Sequence, residues 1–411
     1  MSPSPIPTEA SRRLGSSLRC NSAQETLARA TPLMDRLGIS RVTDITRLDR
    51  LGLPVHASIR PRGQALCVNA GKGVQTIEAR VGALMEAIEF AVAEPQQSQW
   101  KRRVLRLGEL ADEWNGDLAL LQLAPRIGPA PSPDRLVDVV ACEDLAGGPG
   151  MPLPAELVFV PFGDAHGTPL CGWSTNGLAS GNSVAEATLH ALLEVLERDA
   201  IAMNLPCDVS SWLPPAELPA PFAALAHRWQ ALGVALSVRF VPNEFGLPCF
   251  RALLHERDGE LRGLAQGTAL HLDAQIALAR AVCEAAQSRL SHIHGGRDDI
   301  TRYFDSHGDG RRPASPVEDT VAFREAFDTD RRVAWRDVPS WRVDDAPLER
   351  LLGALVDALH GWGFRQVLRH RFACDLNGLH VVKVIVPRCE PNEHGLHRMG
   401  ERLFAKVAAH A

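Results

Sequence analysis

No two of the nine cysteines stand at Cys-x-x-Cys spacing. They lie singly at Cys20, Cys67, Cys142, Cys171, Cys207, Cys249, Cys283, Cys374 and Cys389. That pattern, with its odd count, argues against a disulfide framework and against a structural zinc. No run of about 18 apolar residues occurs, so no segment is expected to span a bilayer as a helix. The first thirteen residues are polar and lack the apolar stretch of an export signal. A reducing cytoplasm is the expected compartment. Basic residues are not in excess: Lys and Arg number 44 against 49 Asp and Glu, and the net charge is −5. This excludes the electrostatic footprint of a nucleic-acid binder. An anionic ligand must therefore meet local positive charge or a metal ion. At 411 residues, with 45% hydrophobic and 23% charged residues, the chain can bury a large globular core.

What the sequence does contain is a repeated pattern. Residues 82–89 read Gly-Ala-Leu-Met-Glu-Ala-Ile-Glu, residues 190–197 His-Ala-Leu-Leu-Glu-Val-Leu-Glu, and residues 280–287 Arg-Ala-Val-Cys-Glu-Ala-Ala-Gln. Each is helical in type, with an acid followed three positions later by Glu or Gln. The first two are entered by small, glycine-containing runs, Ala70-Gly71-Lys72-Gly73 and Ala179-Ser180-Gly181-Asn182. Aligning Gly73 with Gly181 also superposes Glu78-Ala79 on Glu186-Ala187. A near repeat of this kind suggests one domain built from related halves.

The surrounding pattern is mixed α/β. Helices are expected over residues 22–37, 75–94, 183–203, 272–292 and 347–362, with a short one ending near Gly233. Strand patterns occupy residues 41–68 in broken form, 137–142, 157–161, 235–241, 364–371 and 380–387. Residues 249–256 and 261–265 suggest a hairpin through Asp258-Gly259. Residues 1–20 read as a loose tail, 126–135 and 214–221 as loops, and 305–316 as a mobile surface loop. The expected domain layout is an N-terminal tail and helix over 1–34, a catalytic domain over 35–390 and a C-terminal tail over 391–411.

A helix advances about 100° per residue. With Glu186 at zero, Glu197 lies near 20° and Glu194 near 80°, with His190 between them, while the leucines fall on the other arc. Glu86 and Glu89 are neighbours on the first helix, and Arg280, Glu284 and Gln287 share a face of the third. An acid pair on a helix is ordinarily a solvated face. Three matching helices, two with an acid pair and the third with Glu284 and Gln287, set among small and apolar residues, suit a site for Mg²⁺, which takes hard oxygen ligands from carboxylates and phosphates. Lys72, Arg198 and Arg280 stand near these acids and can meet phosphate oxygens. Gly71-Lys72-Gly73 is not a Walker A loop, because it lacks the spaced preceding Gly and the following Ser or Thr. His292-x-His294 before Gly295-Gly296 reads as a helix terminus. Cys171 and Cys283 read as small buried hydrophobes.

The motifs resemble those of the YcaO proteins, and more closely the TfuA-associated branch. The resemblance rests on Gly71-Lys72-Gly73 with residues 83–89, Asn176-Gly177-Leu178-Ala179-Ser180-Gly181-Asn182 with Glu194-Val195-Leu196-Glu197-Arg198-Asp199, and then residues 284–289 and 296–300. It covers roughly residues 35–390. It implies an ATP-binding fold with pseudo-repeated halves, distinct from P-loop and kinase folds. It implies Mg²⁺ ligands at Glu86, Glu89, Glu194, Glu197 and Glu284, and contacts to nucleotide or metal from Asn182, Glu186, Arg198 and Arg280, with Lys72 toward the phosphates. Glu86, Glu194, Glu197 and Arg198 are the residues it points to for catalysis. Gly82, Phe90 and Ala179 depart from the residues frequent in the family. Residues 391–411 lack the proline-rich tail of azoline-forming members.

The resemblance implies an enzyme that uses ATP and Mg²⁺ to activate a backbone amide by phosphorylating its oxygen. The expected outcome is thioamidation of a ribosomally made peptide or protein with a TfuA-like partner and a sulfide donor. The alternatives are azoline formation on Cys, Ser or Thr, and a non-catalytic nucleotide-binding scaffold. No nucleic-acid or membrane partner is expected, and a homodimer is compatible with the sequence.

Overall fold

In the computed structural model the residues described are 11–96, 100, 102–163, 166–256, 265–296, 331–391 and 396–410. A short hairpin, β1 (Arg12–Arg13) and β2 (Leu18–Arg19), leads into helix α1 (Ala23–Ala30). Ser22 and Glu25 cap that helix reciprocally, which fixes its start. Strands β3 (Arg41–Asp44), β4 (Val55–Ile59) and β5 (Val68–Lys72) pair antiparallel, and α2 (Thr76–Ala93) packs on β4 and β5.

Next come β6 (Arg103–Arg106), helix α3 (Leu107–Glu113), β7 (Leu136–Asp144) and β8 (Met151–Pro154), then β9 (Leu178–Gly181) and α4 (Val184–Asn204). Four further strands and two helices follow: β10 (Ser211–Leu213), α5 (Ala220–Ala231), β11 (Val234–Phe240), β12 (Cys249–Glu256), β13 (Ala265–Leu270) and α6 (Ala274–His294). Helix α7 (Leu348–Gly361), β14 (Leu368–Arg371), β15 (His380–Ile385) and α8 (Glu401–His410) complete the order. One sheet runs β10-β11-β12-β13 and another β6-β7-β14-β15-β9, with β8 on β7. All described pairings between named strands are antiparallel. The class is mixed α/β, as expected.

The repeat seen in the sequence is a strand–turn–helix unit used three times: β5 into α2, β9 into α4, β13 into α6. Each of these strands is the last in its sheet. Each carries a glycine where the helix crosses it closely. A β-carbon on Gly71 would fall 1.9 Å from the Ala83 nitrogen, and one on Gly267 would fall 2.2 Å from the Ala281 oxygen. Neither distance leaves room for a side chain, so the missing Cβ lets each helix lie flat on its strand. The other face of each helix is apolar and buried. Leu84 and Ile88 of α2 join Val139 and Phe159; Leu192 and Leu196 of α4 join Leu355 and Val382; Leu278 and Val282 of α6 join Trp229 and Leu254.

Four expectations need correction. Residues 157–161 are not a strand. Ala155–Leu157 is a 3₁₀ turn, and the buried Val158, Phe159 and Val160 follow irregularly, their amides bonding Ala155 O and Ala93 O. Prolines 152, 154 and 161 withhold ladder donors around this run. The helix expected over 22–37 ends at Ala30, where Thr31–Leu33 tighten into a 3₁₀ turn containing Pro32. Within the N-terminal tail, residues 11–20 are the β1–β2 hairpin. Within the C-terminal tail, α8 is held to α4 by Arg402 pairing with Asp199 at 2.5 Å, while Glu390 accepts from three amides at its start. The turn at Asp258-Gly259, the loop 305–316 and residues 297–300 lie outside the described residues. No helix among the described residues is long and apolar enough to cross a membrane.

Candidate functional site: an acidic cavity between three helices

The polar faces of α2, α4 and α6 line one cavity of about 980 Å³. All ten residues singled out from the sequence open onto it: Lys72, Glu86, Glu89, Asn182, Glu186, Glu194, Glu197, Arg198, Arg280 and Glu284. Glu86 and Glu89 come from α2, Glu186 through Arg198 from α4, and Arg280 and Glu284 from α6. Lys72 ends β5, and Asn182 lies in the turn after β9. The helical period that puts these residues on one face puts the alanines and leucines between them on the buried face.

Several carboxylates are oriented by a neighbour. Glu89 accepts from the Ser180 amide at 2.8 Å and from its hydroxyl at 2.6 Å. Glu197 accepts from the Thr268 hydroxyl at 2.5 Å. Lys72 Nζ lies 2.8 Å from Glu284, joining the first and third units, with both side chains about a quarter exposed. Gln287 donates to Ala70 O across the same gap. Glu186 accepts from the Arg19 guanidinium at 3.1 Å, the Cys20 amide and thiol at 2.9 Å each, and the Asn182 amide at 3.2 Å.

Burial governs the charge states. It pushes Glu89 up to about 8, and the neighbouring Glu86 and Glu194 charges add to the rise against the Ser180 bonds. Burial also raises Glu197 to about 7, outweighing Arg198. Glu194 is raised by burial despite Arg198, Lys383 and Arg280. Glu284 moves the other way, because Lys72, Arg198 and Arg280 together outweigh its burial. Burial, then Arg280 and Arg19, hold His190 well below the usual imidazole range, so this ring is neutral. Cys171 and Cys283 are buried, and burial pushes the Cys283 thiol up to about 12, which fits the expectation of an inert side chain.

Among the described residues, seven carboxylates and four cationic side chains line the cavity. Ser180, Thr268 and Lys72 each hold one of the acids, Glu89, Glu197 and Glu284 in turn. Among the described residues no three His, Cys, Asp or Glu side chains stand as a ready cluster for an ion. The donor set nonetheless fits magnesium and a polyphosphate: hard carboxylate oxygens outnumber the cations, and Arg19, Lys72, Arg198 and Arg280 stand beside them.

Sequence reasoning missed four contributors. Arg19 reaches the site from the hairpin read as a tail. Glu78, the repeat partner of Glu186, accepts from the Gly15 amide and the Ser16 hydroxyl at 2.8 Å each. The alignment of the two halves was the available signal for it. Ser180 and Lys383 complete the set. Lys383 is buried on β15 and donates to Ser174 O at 2.5 Å. Nothing local marks a strand lysine as close to Glu194. The expected C-terminal glycine of α6 is present, with Gly295 left-handed at φ 63°.

The sequence model for the YcaO cyclodehydratase family, described as ATP- and Mg²⁺-binding, matches residues 70–390. An uncharacterized protein of Methanothermobacter thermautotrophicus is 31% identical over 405 residues, covering 93% of this chain and 98% of that one. An uncharacterized protein in the tfuA 3′ region of Rhizobium leguminosarum bv. trifolii is 29% identical, covering 90% and 88%. Among solved structures, a heterocyclase in complex with substrate and cofactor superposes with a TM-score of 0.75 at 19% identity, over 98% of this chain. The chain spans 56% of that heterocyclase's length. The YcaO of Methanopyrus kandleri bound with AMPPCP and Mg²⁺ gives a TM-score of 0.71 at 24% identity, covering 94% and 96%.

Proposed function

The chain belongs to the YcaO family, described as ATP- and Mg²⁺-binding, and from that premise we propose that it activates a peptide backbone amide for thioamidation, acting with a TfuA-like partner. The observation that carries the proposal is the convergence of acids from three helices, with Lys72, Arg198 and Arg280, on one cavity. An amide oxygen is a very poor leaving group. Sulfide would add to the amide carbon, the oxygen would take the γ-phosphoryl group of Mg²⁺-bound ATP with release of ADP, and the C–O bond would break with phosphate leaving as the carbon–sulfur double bond forms.

The chain's own residues do the rest. Glu86, Glu89, Glu194, Glu197 and Glu284 are the magnesium ligands in this proposal. Ser180 and Thr268 set the directions of Glu89 and Glu197. Arg198, Arg280 and Lys72 neutralise charge that develops on transfer, in a pocket where each fixed charge counts for more than in water. Asn182 and Glu186 are tied together and would face the nucleotide.

Thioamidation is favoured by the relative in the tfuA 3′ region. The family's description as cyclodehydratases favours azoline formation as a second reading. Intact-mass analysis separates them. A peptide substrate incubated with the chain, a TfuA-like partner, ATP, Mg²⁺ and sulfide gains about 16 Da if oxygen is replaced by sulfur, and loses about 18 Da if water is removed. Glu194→Gln or Glu197→Gln is expected to abolish phosphate release with the fold retained. Full turnover in both variants contradicts the proposal.

A further inference from the structure

The three strand–turn–helix units are joined in a ring. Glu89 of α2 accepts from the amide and hydroxyl of Ser180 on β9. Glu197 of α4 accepts from the Thr268 hydroxyl on β13. Gln287 of α6 donates through Nε2 to Ala70 O on β5 at 2.5 Å, and so returns from the third unit to the first. Each joint is made by the residue three positions after an acid, Glu86, Glu194 and Glu284 in turn, and each reaches the strand of the next unit. Beside the third joint the Lys72–Glu284 pair, at 2.8 Å, links the same two elements, β5 and α6.

The group that each strand offers matches the residue that meets it. Ser180 and Thr268 offer donors, which a carboxylate accepts. Ala70 offers a carbonyl oxygen, which needs a donor, and an ionised glutamate at 287 would set lone pairs against lone pairs. The Gln287 Oε1 is buried without a hydrogen-bond partner among the described residues. A buried acceptor left so is destabilising, and methionine would fill a similar volume without it, so the amide is explained by its donor. Lys72 and Glu284 are each about a quarter exposed, and an ion pair of that kind holds its own geometry only weakly. We propose that Gln287 is a positioning residue, whose bond to Ala70 O closes the ring and holds Lys72 and Glu284 in register for magnesium and the nucleotide phosphates. The inference rests on the reading of this cavity made in the amide-activation proposal.

The test uses the full chain as wild type, Gln287→Met, Gln287→Glu, Lys72→Met and the double variant Gln287→Met with Lys72→Met. Calorimetry with Mg²⁺ and a non-hydrolysable ATP analogue gives affinities, and thermal denaturation gives stability. Gln287→Met should weaken the analogue about fivefold, the effect of one net hydrogen bond. In the Lys72→Met background the same change should alter affinity less than about twofold, while its effect on melting temperature persists. Gln287→Glu should weaken the analogue although it adds an acid. Equal affinity losses in both backgrounds overturn the proposal, because Gln287 would then act on the fold alone. Tighter binding by Gln287→Glu also overturns it, because the position would then call for a metal-ligating acid. A second readout needs no ligand. The chain has four lysines, so the acetylation rate of Lys72 can be followed by mass spectrometry with Lys406 as reference. That rate should rise about two- to fivefold in Gln287→Met, the range of a partly exposed ion pair, and an unchanged rate overturns the proposal. If wild type binds no analogue, the amide-activation proposal falls, and a raised Lys72 rate would still support the joint.

Discussion

Glu89 and Glu197 keep their protons to about 8 and about 7, far above the range of an exposed carboxyl. The ion-free folded chain therefore binds protons between about pH 4.5 and 8 that the unfolded chain has released. Their contribution to stability is present at low pH and is lost as pH rises through 7 to 8. A divalent ion supplies the counter-charge that a proton supplies at low pH. The melting temperature measured without Mg²⁺ should accordingly fall between about pH 4.5 and 8 and level above that, and Mg²⁺ with nucleotide should flatten the fall. Glu89→Gln should flatten part of it without any ion. A pH-independent melting temperature in ion-free wild type would contradict these charge states. The acids themselves were legible in the sequence, because the helical period leaves them on one face. Their partners were not. Ser180 meets Glu89, and Arg19 meets Glu186, across long stretches of chain, and such contacts have no local signature.

At the scale of elements, the strand–turn–helix unit depends on glycines that have no room for a side chain. Gly71→Val places atoms against the backbone of α2 at Ala79 and Ala83, and Gly267→Val does the same to α6 at Ala281 and Ala285. Each should destabilise by about 3 kcal/mol or more and lift its acids out of place, read as a lower denaturant midpoint together with loss of magnesium binding. Gly353→Val, on the open side of α7 with no atom near a new β-carbon, is the control and should cost far less. The three acid helices could be read beforehand because each is long and strongly periodic. The short strands could not. Leu178–Gly181 and Ser211–Leu213 become strands only by pairing with β15 and β11. The apolar run before Pro161 looked like a strand, yet it is buried in an irregular path with its amides satisfied elsewhere. The helix over 401–410 was missed because its order comes from remote partners, Glu390 and Asp199.

At the scale of the molecule, three sheets each end in a strand that feeds an acid helix, and the three helices enclose one cavity. The near repeat hinted that the acids would meet, but convergence is a tertiary fact that no period along the chain encodes. The central claim is that carboxylates from all three helices act together on magnesium and a triphosphate. Calorimetric titration of a non-hydrolysable ATP analogue tests it most directly, in wild type, Glu86→Gln, Glu194→Gln and Glu284→Gln, each with and without Mg²⁺. Binding should require Mg²⁺ and weaken at least about tenfold in every variant, one from each helix. Magnesium-independent binding, or full affinity in any of the three, would contradict the account.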